Sequence, residues 1–267
     1  MNEYKKIAFF DFDYTIINAN SNNYLNKLVI EKESFLVDQN NSKKLTPSIA
    51  QLNKFKYSDH IENLSNKSNN TIRMNTVFNY MHSKHNIGQN EMIKCLSEVK
   101  ISDKMCSLFE MLNKQQYILM IVSDSNKFLI KTILKANKLD NLFHDNNIIA
   151  NEAYFDHSGR LIVVPYNQIH FKDKNKHFDC SVSYCRQNIC KGTIIESYLN
   201  NQVNIEAIYV GDGTIDYCPG LKLKQSHNFF VKYNSSLYKL IKNDKEKQIV
   251  ANIKYWKNAN EIINQLF

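Results

Sequence analysis

Short, continuously apolar runs alternate along the chain with longer segments whose apolar positions recur every three to four residues. "KKIAFF", residues 5–10, reads as a buried strand and breaks off at the polar "DFDYT". "SNNYLNKLVIEKE" has helical spacing, with Ser21 or Asn22 as N-cap. From Asp38 to Asn70 the periodicity fades, and the polar, turn-rich "DQNNSKKLTPS" and "NLSNKSNN" predict loops around a few helical turns. Helical spacing returns in "TVFNYMHSKHN", in "NEMIKCLSEV" and in "SDKMCSLFEMLNKQQ", which opens on the capping residues Ser102 and Asp103. "YILMIVSDSN" is a second continuous apolar run. It reads as a central parallel strand that delivers Ser123 and Asp124 at its C-terminal end. After it come a helix "KFLIKTILKANKL", a hairpin "EAYFDHSGRLIVVPY" turning at Asp156 to Gly159, and a helix "KGTIIESYLNN". A buried strand "IEAIYVGDG" and a last strand "HNFFVKY" complete the sheet, and the tail from Ser235 onward reads as mostly helical.

This order predicts an α/β fold with a central parallel sheet and a helical segment inserted between the first two strands. In such sheets the ligand site lies outside the C-terminal ends of the strands. Three predicted strands end in "DFD", "SDS" and "GDG", so neighbouring strands would bring Asp11, Asp13, Ser123, Asp124, Asp212 and Asp216 to one rim. Crowded carboxylates repel one another and raise each other's pKa values. A hard divalent cation relieves that repulsion, and Mg²⁺ suits carboxylates combined with phosphate oxygens. Within "YVGDGTIDYCP", Ile215 stands where a polar neighbour of such a site is expected.

The set resembles the haloacid dehalogenase superfamily of phosphohydrolases, motif by motif. "DFDYT" fits the first motif, "IVSDS" the second, Lys191 the third and "GDGTID" the fourth, in the right order. The resemblance narrows to the phosphoethanolamine/phosphocholine phosphatase and pyridoxal phosphate phosphatase-like group. The marks are "GRLIVVPY", "CRQNICKG" and "YVGDGTIDYCP". It implies a Rossmann-like core over residues 1–18 and 117–267 and a helical cap with an Asn-rich irregular segment over 19–116. It further implies Asp11 as nucleophile, Asp13 as acid and base, and Ser123 and Lys191 on the phosphate. Mg²⁺ would be held by Asp11, the Asp13 carbonyl and Asp212, with Asp216 behind them. In that group the acid after the second-motif serine, here Asp124, faces a cationic part of the substrate. A further acid of the group corresponds to Asn22, which removes one negative charge. Ile215 replaces a usual asparagine, so metal binding is expected to persist with lower affinity.

The reading is a Mg²⁺-dependent phosphomonoesterase acting on a small phosphorylated metabolite. Two alternatives are a catalytically weak phospho-ligand-binding protein and a phosphomutase whose cap retains the phospho-intermediate. Composition changes little. The 267 residues carry a net charge of +8, which suits acidic partners. No compact basic cluster interleaved with aromatics points to nucleic acid, and no apolar run has transmembrane length. The N-terminus lacks a signal-peptide pattern, so a cytosolic protein with reduced thiols is expected. Cys180, Cys185 and Cys190, with His177 nearby, lack the tight C-x₂-C pairs of common zinc motifs. They read as thiols packed beside the active site, with a structural zinc site as the alternative, and Cys218 packs under the acidic loop.

Overall fold

The computed structural model describes residues 5–37, 47–57, 70–170, 180–200 and 204–267. Strand β1 (Lys5–Phe10) is followed by helices α1 (Ser21–Tyr24), α2 (Asn26–Val37), α3 (Ile49–Lys54), α4 (Asn70–His85), α5 (Gln89–Leu96) and α6 (Asp103–Lys114). Then come β2 (Tyr117–Asn126), α7 (Lys127–Ala136), β3 (Ile148–Phe155), β4 (Leu161–Val164), α8 (Tyr166–His170) and α9 (Lys191–Asn200). The chain closes with β5 (Ile205–Gly211), α10 (Tyr217–Gly220), β6 (Asn228–Lys232), α11 (Ser236–Asn243), β7 (Asn252–Trp256) and α12 (Ala259–Leu266).

The strands form one seven-stranded sheet in the order β4-β3-β2-β1-β5-β6-β7. Every pairing is parallel except β3 with β4. Successive strand residues point to opposite faces, and here both faces are covered. Ala8 and Phe10 join the apolar layer that also holds Phe109, Ile121, Ile133 and Ile262. Ile7 and Phe9 join the opposite layer with Met120, Ile195, Tyr209 and Phe229. That double burial is why the central strands read as unbroken apolar runs rather than as alternation.

β1 lies between β2 and β5, and Phe10 pairs with both Ile121 and Val210. The register therefore sets the residues that follow β1 beside those ending β2 and β5. The three acidic strand ends meet because of the strand order, as the sequence predicted.

Helices α1 to α5 lie between β1 and β2 in the chain, and their apolar faces continue the layer holding Phe10: Leu25, Val29, Met74, Phe78, Met81, Met92 and Leu96 are all buried in it. Helix α4 is also tied to edge strand β4. Asn75 donates its amide to the Val163 carbonyl and accepts from the Val163 N–H, both at 2.8 Å. The side chain thus occupies the open edge of the sheet as a further strand would. Helix α6 packs on β2 and on α12.

The structure departs from the sequence reading in three places. The helix read over Ser21–Glu33 is broken at Leu25 into α1 and α2, and its N-cap is Asn20, whose Oδ1 accepts from Asn23 N at 2.9 Å. The hairpin strand β3 begins at Ile148, because its first half pairs in parallel with β2 before its second half turns to β4. The tail contains β7, a half-buried strand parallel to β6, where a helical tail was read. Its residues "NIKYW" carry a lysine and only one fully buried side chain, so no apolar run announces an edge strand. Most of the Asn-rich stretches at 38–46 and 58–69, and His177, lie outside the described residues.

Candidate active site

The turn after β1 places the first two carboxylates. Asp11 is fastened to the neighbouring strand by its N–H to the Val210 carbonyl at 2.9 Å. Its Oδ1 accepts from Phe12 N at 2.7 Å and from Lys191 Nζ at 2.7 Å. Tyr14 adopts the left-handed region, φ 59°, and turns the chain directly after Asp13. The turn brings Thr15 back to Asp212, whose Oδ1 accepts its hydroxyl at 2.7 Å. Lys232 reaches the Tyr14 carbonyl from β6.

Asp13 is also buried, and Ser21 at the start of α1 holds it through both N–H to Oδ1 (2.9 Å) and hydroxyl to Oδ2 (3.2 Å). The Ser21 hydroxyl also meets Ser125 Oγ at 2.7 Å. Ser21 is therefore a positioning group for Asp13 rather than a helix cap. Asn22 donates weakly to Ser125 Oγ at 3.4 Å. It lines a small pocket with Asn23, Asn26, Tyr57, Arg73, Met74, Val77 and Phe78.

From β2, Ser123 is fully buried and accepts from Ser125 N at 3.2 Å. Asp124 is half-buried and accepts from Asn70 Nδ2 at 3.3 Å. Asn151 on β3 fixes this strand end by donating to the Asp124 and Ser125 carbonyls at 2.7 and 2.8 Å.

From β5, the fourth acidic segment folds around Asp216. Its Oδ2 accepts from Asp212 N (3.0 Å) and Gly213 N (2.9 Å), and its Oδ1 from Lys191 Nζ (2.8 Å) and Tyr209 Oη (2.7 Å). Four donors saturate this carboxylate, so Asp216 braces the loop and the lysine. Gly211 leaves room for it: a Cβ there would lie 2.6 Å from Asp216 Oδ2. The loop is thus closed by hydrogen bonds from main chain, Lys191 and Tyr209 to Asp216, and none of these involves the side chain of Ile215.

Asp11, Asp13, Ser123, Asp124, Lys191, Asp212 and Asp216 lie at the C-terminal ends of the strands or reach them, with Asn22 hydrogen-bonded to Ser125. Thr15, Ser125, Asn151 and Tyr209 carry no mark in the sequence, and Ser21 reads there only as a helix cap. Isolated hydroxyl and amide residues carry no sequence signal until the fold shows what they touch.

The electrostatics follow from crowding. Burial, then the nearby Asp216, raises the Asp11 carboxyl well above its usual range, although Lys191 opposes the shift. Burial raises Asp13 to about 7 against the hydrogen bonds from Ser21. Burial and Asp216 raise Asp212 to about 6. Burial disfavours the Lys191 ammonium, but Asp11 and Asp216 outweigh it and hold the lysine charged. Asp11, Asp212 and Asp216 bring oxygens within 4.8 Å of one another, and with Asp216 already held by four donors, Asp11 and Asp212 are the pair free to meet a cation. An all-oxygen donor set with excess negative charge is chemistry that fits a hard divalent ion.

One prediction arises directly. Asp13 binds its proton more tightly folded than unfolded, so its contribution to stability is full below about pH 4 and is lost as pH rises through about 7. Asp13→Asn keeps the neutral form and can still accept from Ser21 N. In chelator-treated protein, denaturant unfolding should show this variant more stable than the parent by about 2–4 kcal/mol near pH 8. The difference should vanish near pH 4. Equal stabilities at both pH values would contradict the burial of a neutral Asp13.

The described residues contain no helix long and apolar enough to cross a membrane. Residues 6–267 match the family described as Putative Phosphatase. The chain is 25% identical over 271 residues to Pyridoxal phosphate phosphatase PHOSPHO2 of Mus musculus, covering 98% of this chain and 97% of that protein. It is 32% identical over 171 residues to a Thiamine phosphate phosphatase-like protein of Arabidopsis thaliana, covering 62% of this chain and 66% of that one. Among solved structures, a phospho-aspartyl intermediate analogue of phosphoserine phosphatase shares the fold, with a TM-score of 0.56 at 13% identity. The match covers 99% of this chain and 100% of that one.

Proposed function

Because the chain belongs to the Putative Phosphatase family, we propose that it hydrolyses a small phosphorylated metabolite with Asp11 as nucleophile and Mg²⁺ as cofactor. It is a phosphomonoesterase of the haloacid dehalogenase superfamily. The observation that carries the mechanism is the buried ion pair of Lys191 with Asp11 and Asp216, at 2.7 and 2.8 Å, on a rim lined by further carboxylates.

Both hydrogen bonds to Asp11 from the described residues fall on Oδ1, which leaves Oδ2 to attack phosphorus. The new Asp11 O–P bond forms as the ester P–O bond breaks, and the leaving oxygen takes a proton from Asp13. A carboxyl near pKa 7 is matched to giving up a proton at neutral pH and taking one back. Water then attacks phosphorus, passes its proton to Asp13 and frees Asp11. Ser123 and Lys191 hold the phosphoryl oxygens, and Lys191 keeps the Asp11 carboxylate aimed. Asp11, Asp212 and the Asp13 carbonyl would hold Mg²⁺, with Asp216 behind them, and the bound ion supplies charge neutralisation at the phosphoryl group. The insert 19–116 would cover the site and set selectivity through Asn22, together with Asp124 at the end of β2.

The pocket beside Asn22 holds an arginine and three asparagines but no carboxylate among its described lining residues. The absent acid at Asn22, with the full-length likeness to pyridoxal phosphate phosphatase PHOSPHO2, supports a pyridoxal phosphate-type substrate over phosphocholine or phosphoethanolamine, whose cations favour an acidic pocket. Purified protein with Mg²⁺ should hydrolyse p-nitrophenyl phosphate, and excess EDTA should lower the rate at least ~10²-fold, reversibly. On a substrate panel, pyridoxal phosphate should exceed phosphocholine in kcat/KM, and Asn22→Asp should narrow the ratio. A rate indifferent to EDTA would contradict the metal reading. A preference for phosphocholine in the parent would contradict the reading of the pocket.

A further inference from the structure

A second cluster lies behind Lys191. Cys180 and Cys185 sit in the loop before α9, Cys190 immediately precedes Lys191, and Cys218 belongs to α10, just after Asp216. Their four sulfurs all lie within 4.8 Å of one another. Cys180 Sγ is 3.5 Å from Cys218 Sγ, and Cys190 Sγ is 3.7 Å from it. The sequence alone reads Cys218 as packing under the acidic loop, apart from the other three. The fold brings it into the group.

The spacing discriminates between explanations. A disulfide would bring two sulfurs to about 2.0 Å, and all four cysteines are free. A tetrahedral zinc with Zn–S bonds of about 2.3 Å sets its sulfurs about 3.8 Å apart. The observed separations are those of a ligand shell. Thiols packed merely as small apolar groups have no reason to gather four to a point, contributed by two separate segments. Nor would they attract donors, yet Cys190 Sγ accepts from both Thr193 N (3.5 Å) and Thr193 Oγ1 (3.4 Å). Such donors stabilise a thiolate. The close approach is also built into the main chain. A Cβ on Gly192 would lie 2.3 Å from Cys218 Sγ, so glycine is what lets that sulfur reach the group.

We propose that Cys180, Cys185, Cys190 and Cys218 bind one structural Zn²⁺ in a tetrahedral four-thiolate site. Four protein ligands close the shell and leave no position for substrate, so this metal is separate from the one at the carboxylates. Its role follows from what it joins. Cys190 is the chain neighbour of Lys191 and Cys218 follows Asp216 by two residues. Zinc therefore ties together the two segments whose side chains meet in the 2.8 Å Lys191–Asp216 pair. The loop 180–190 contains no strand or helix and gains an anchor.

The test uses the full chain purified without chelator. Elemental analysis should find about one zinc per chain, released to a chromogenic chelator on titration with p-hydroxymercuribenzoate. Cobalt in its place should give thiolate-to-metal charge transfer and the intense visible bands of a tetrahedral ion. Cys185→Ser should hold less than about a tenth of the parent's zinc, whereas Asp212→Asn should keep it. The cobalt spectrum of the unmutated chain decides the matter even if Cys185→Ser does not fold. Zinc-free protein whose cluster thiols react freely in the native state would overturn the proposal. So would iron in the zinc's place, an octahedral cobalt spectrum, or zinc that leaves with Asp212→Asn and stays with Cys185→Ser.

Discussion

Asp11→Asn should lower phosphatase turnover by at least ~10⁴-fold while leaving the chain folded. The amide is nearly isosteric with the carboxylate and its oxygen can still accept from Phe12 N and Lys191 Nζ. Asp216 keeps the Lys191 ammonium paired when the Asp11 charge is removed, so the fold should persist. What is lost is nucleophilicity. The combination of intact fold and absent turnover is informative, because Asp→Asn at an exposed turn cap would leave turnover intact as well. Thermal unfolding and p-nitrophenyl phosphate hydrolysis on the same preparation measure both. Turnover within tenfold of the parent would remove Asp11 from the chemistry.

The second large effect is expected at Lys191. Its ammonium is buried between Asp11 and Asp216, at 2.7 and 2.8 Å. Lys191→Met retains the stem but leaves two buried carboxylates facing each other with no cation. Removing one partner of a buried pair costs about 3–5 kcal/mol, against less than about 1 kcal/mol for an exposed ion pair. The loss should be largest near pH 8 in chelator-treated protein and should shrink toward about pH 5. The sign follows from the raised Asp11 pKa: acid supplies the proton that replaces the missing ammonium. Turnover should fall at least ~10³-fold, because Lys191 also aims Asp11 and binds the phosphoryl group. A destabilisation below about 1 kcal/mol at both pH values would mean the lysine is not buried in this pair.

The rim was legible in the sequence for a physical reason. Parallel strands buried on both faces must be apolar throughout, so the acids that end them stand out as "DFD", "SDS" and "GDG". The supporting hydroxyls were not legible. Ser21 looked like a helix cap, and only the turn at Tyr14 reveals that it faces Asp13. Strand β7 was missed because an edge strand covered on one side needs no apolar run. Ile215 looked anomalous because the role of its loop partner was hidden. Four donors on Asp216 hold the loop, and none of them is the neighbouring side chain. The thiol cluster depends on Cys218, from the segment after β5, meeting Cys190 at the start of α9, which no local spacing encodes.

The central claim is that phosphate passes through Asp11. Acyl phosphates are reduced by borohydride, which would convert a phosphorylated Asp11 to homoserine. Protein quenched during steady-state turnover, reduced and mapped by mass spectrometry should show homoserine at position 11, only when substrate is present, and none in Asp11→Asn. Turnover that proceeds with no substrate-dependent homoserine at position 11, or with the label at another residue, would contradict the account.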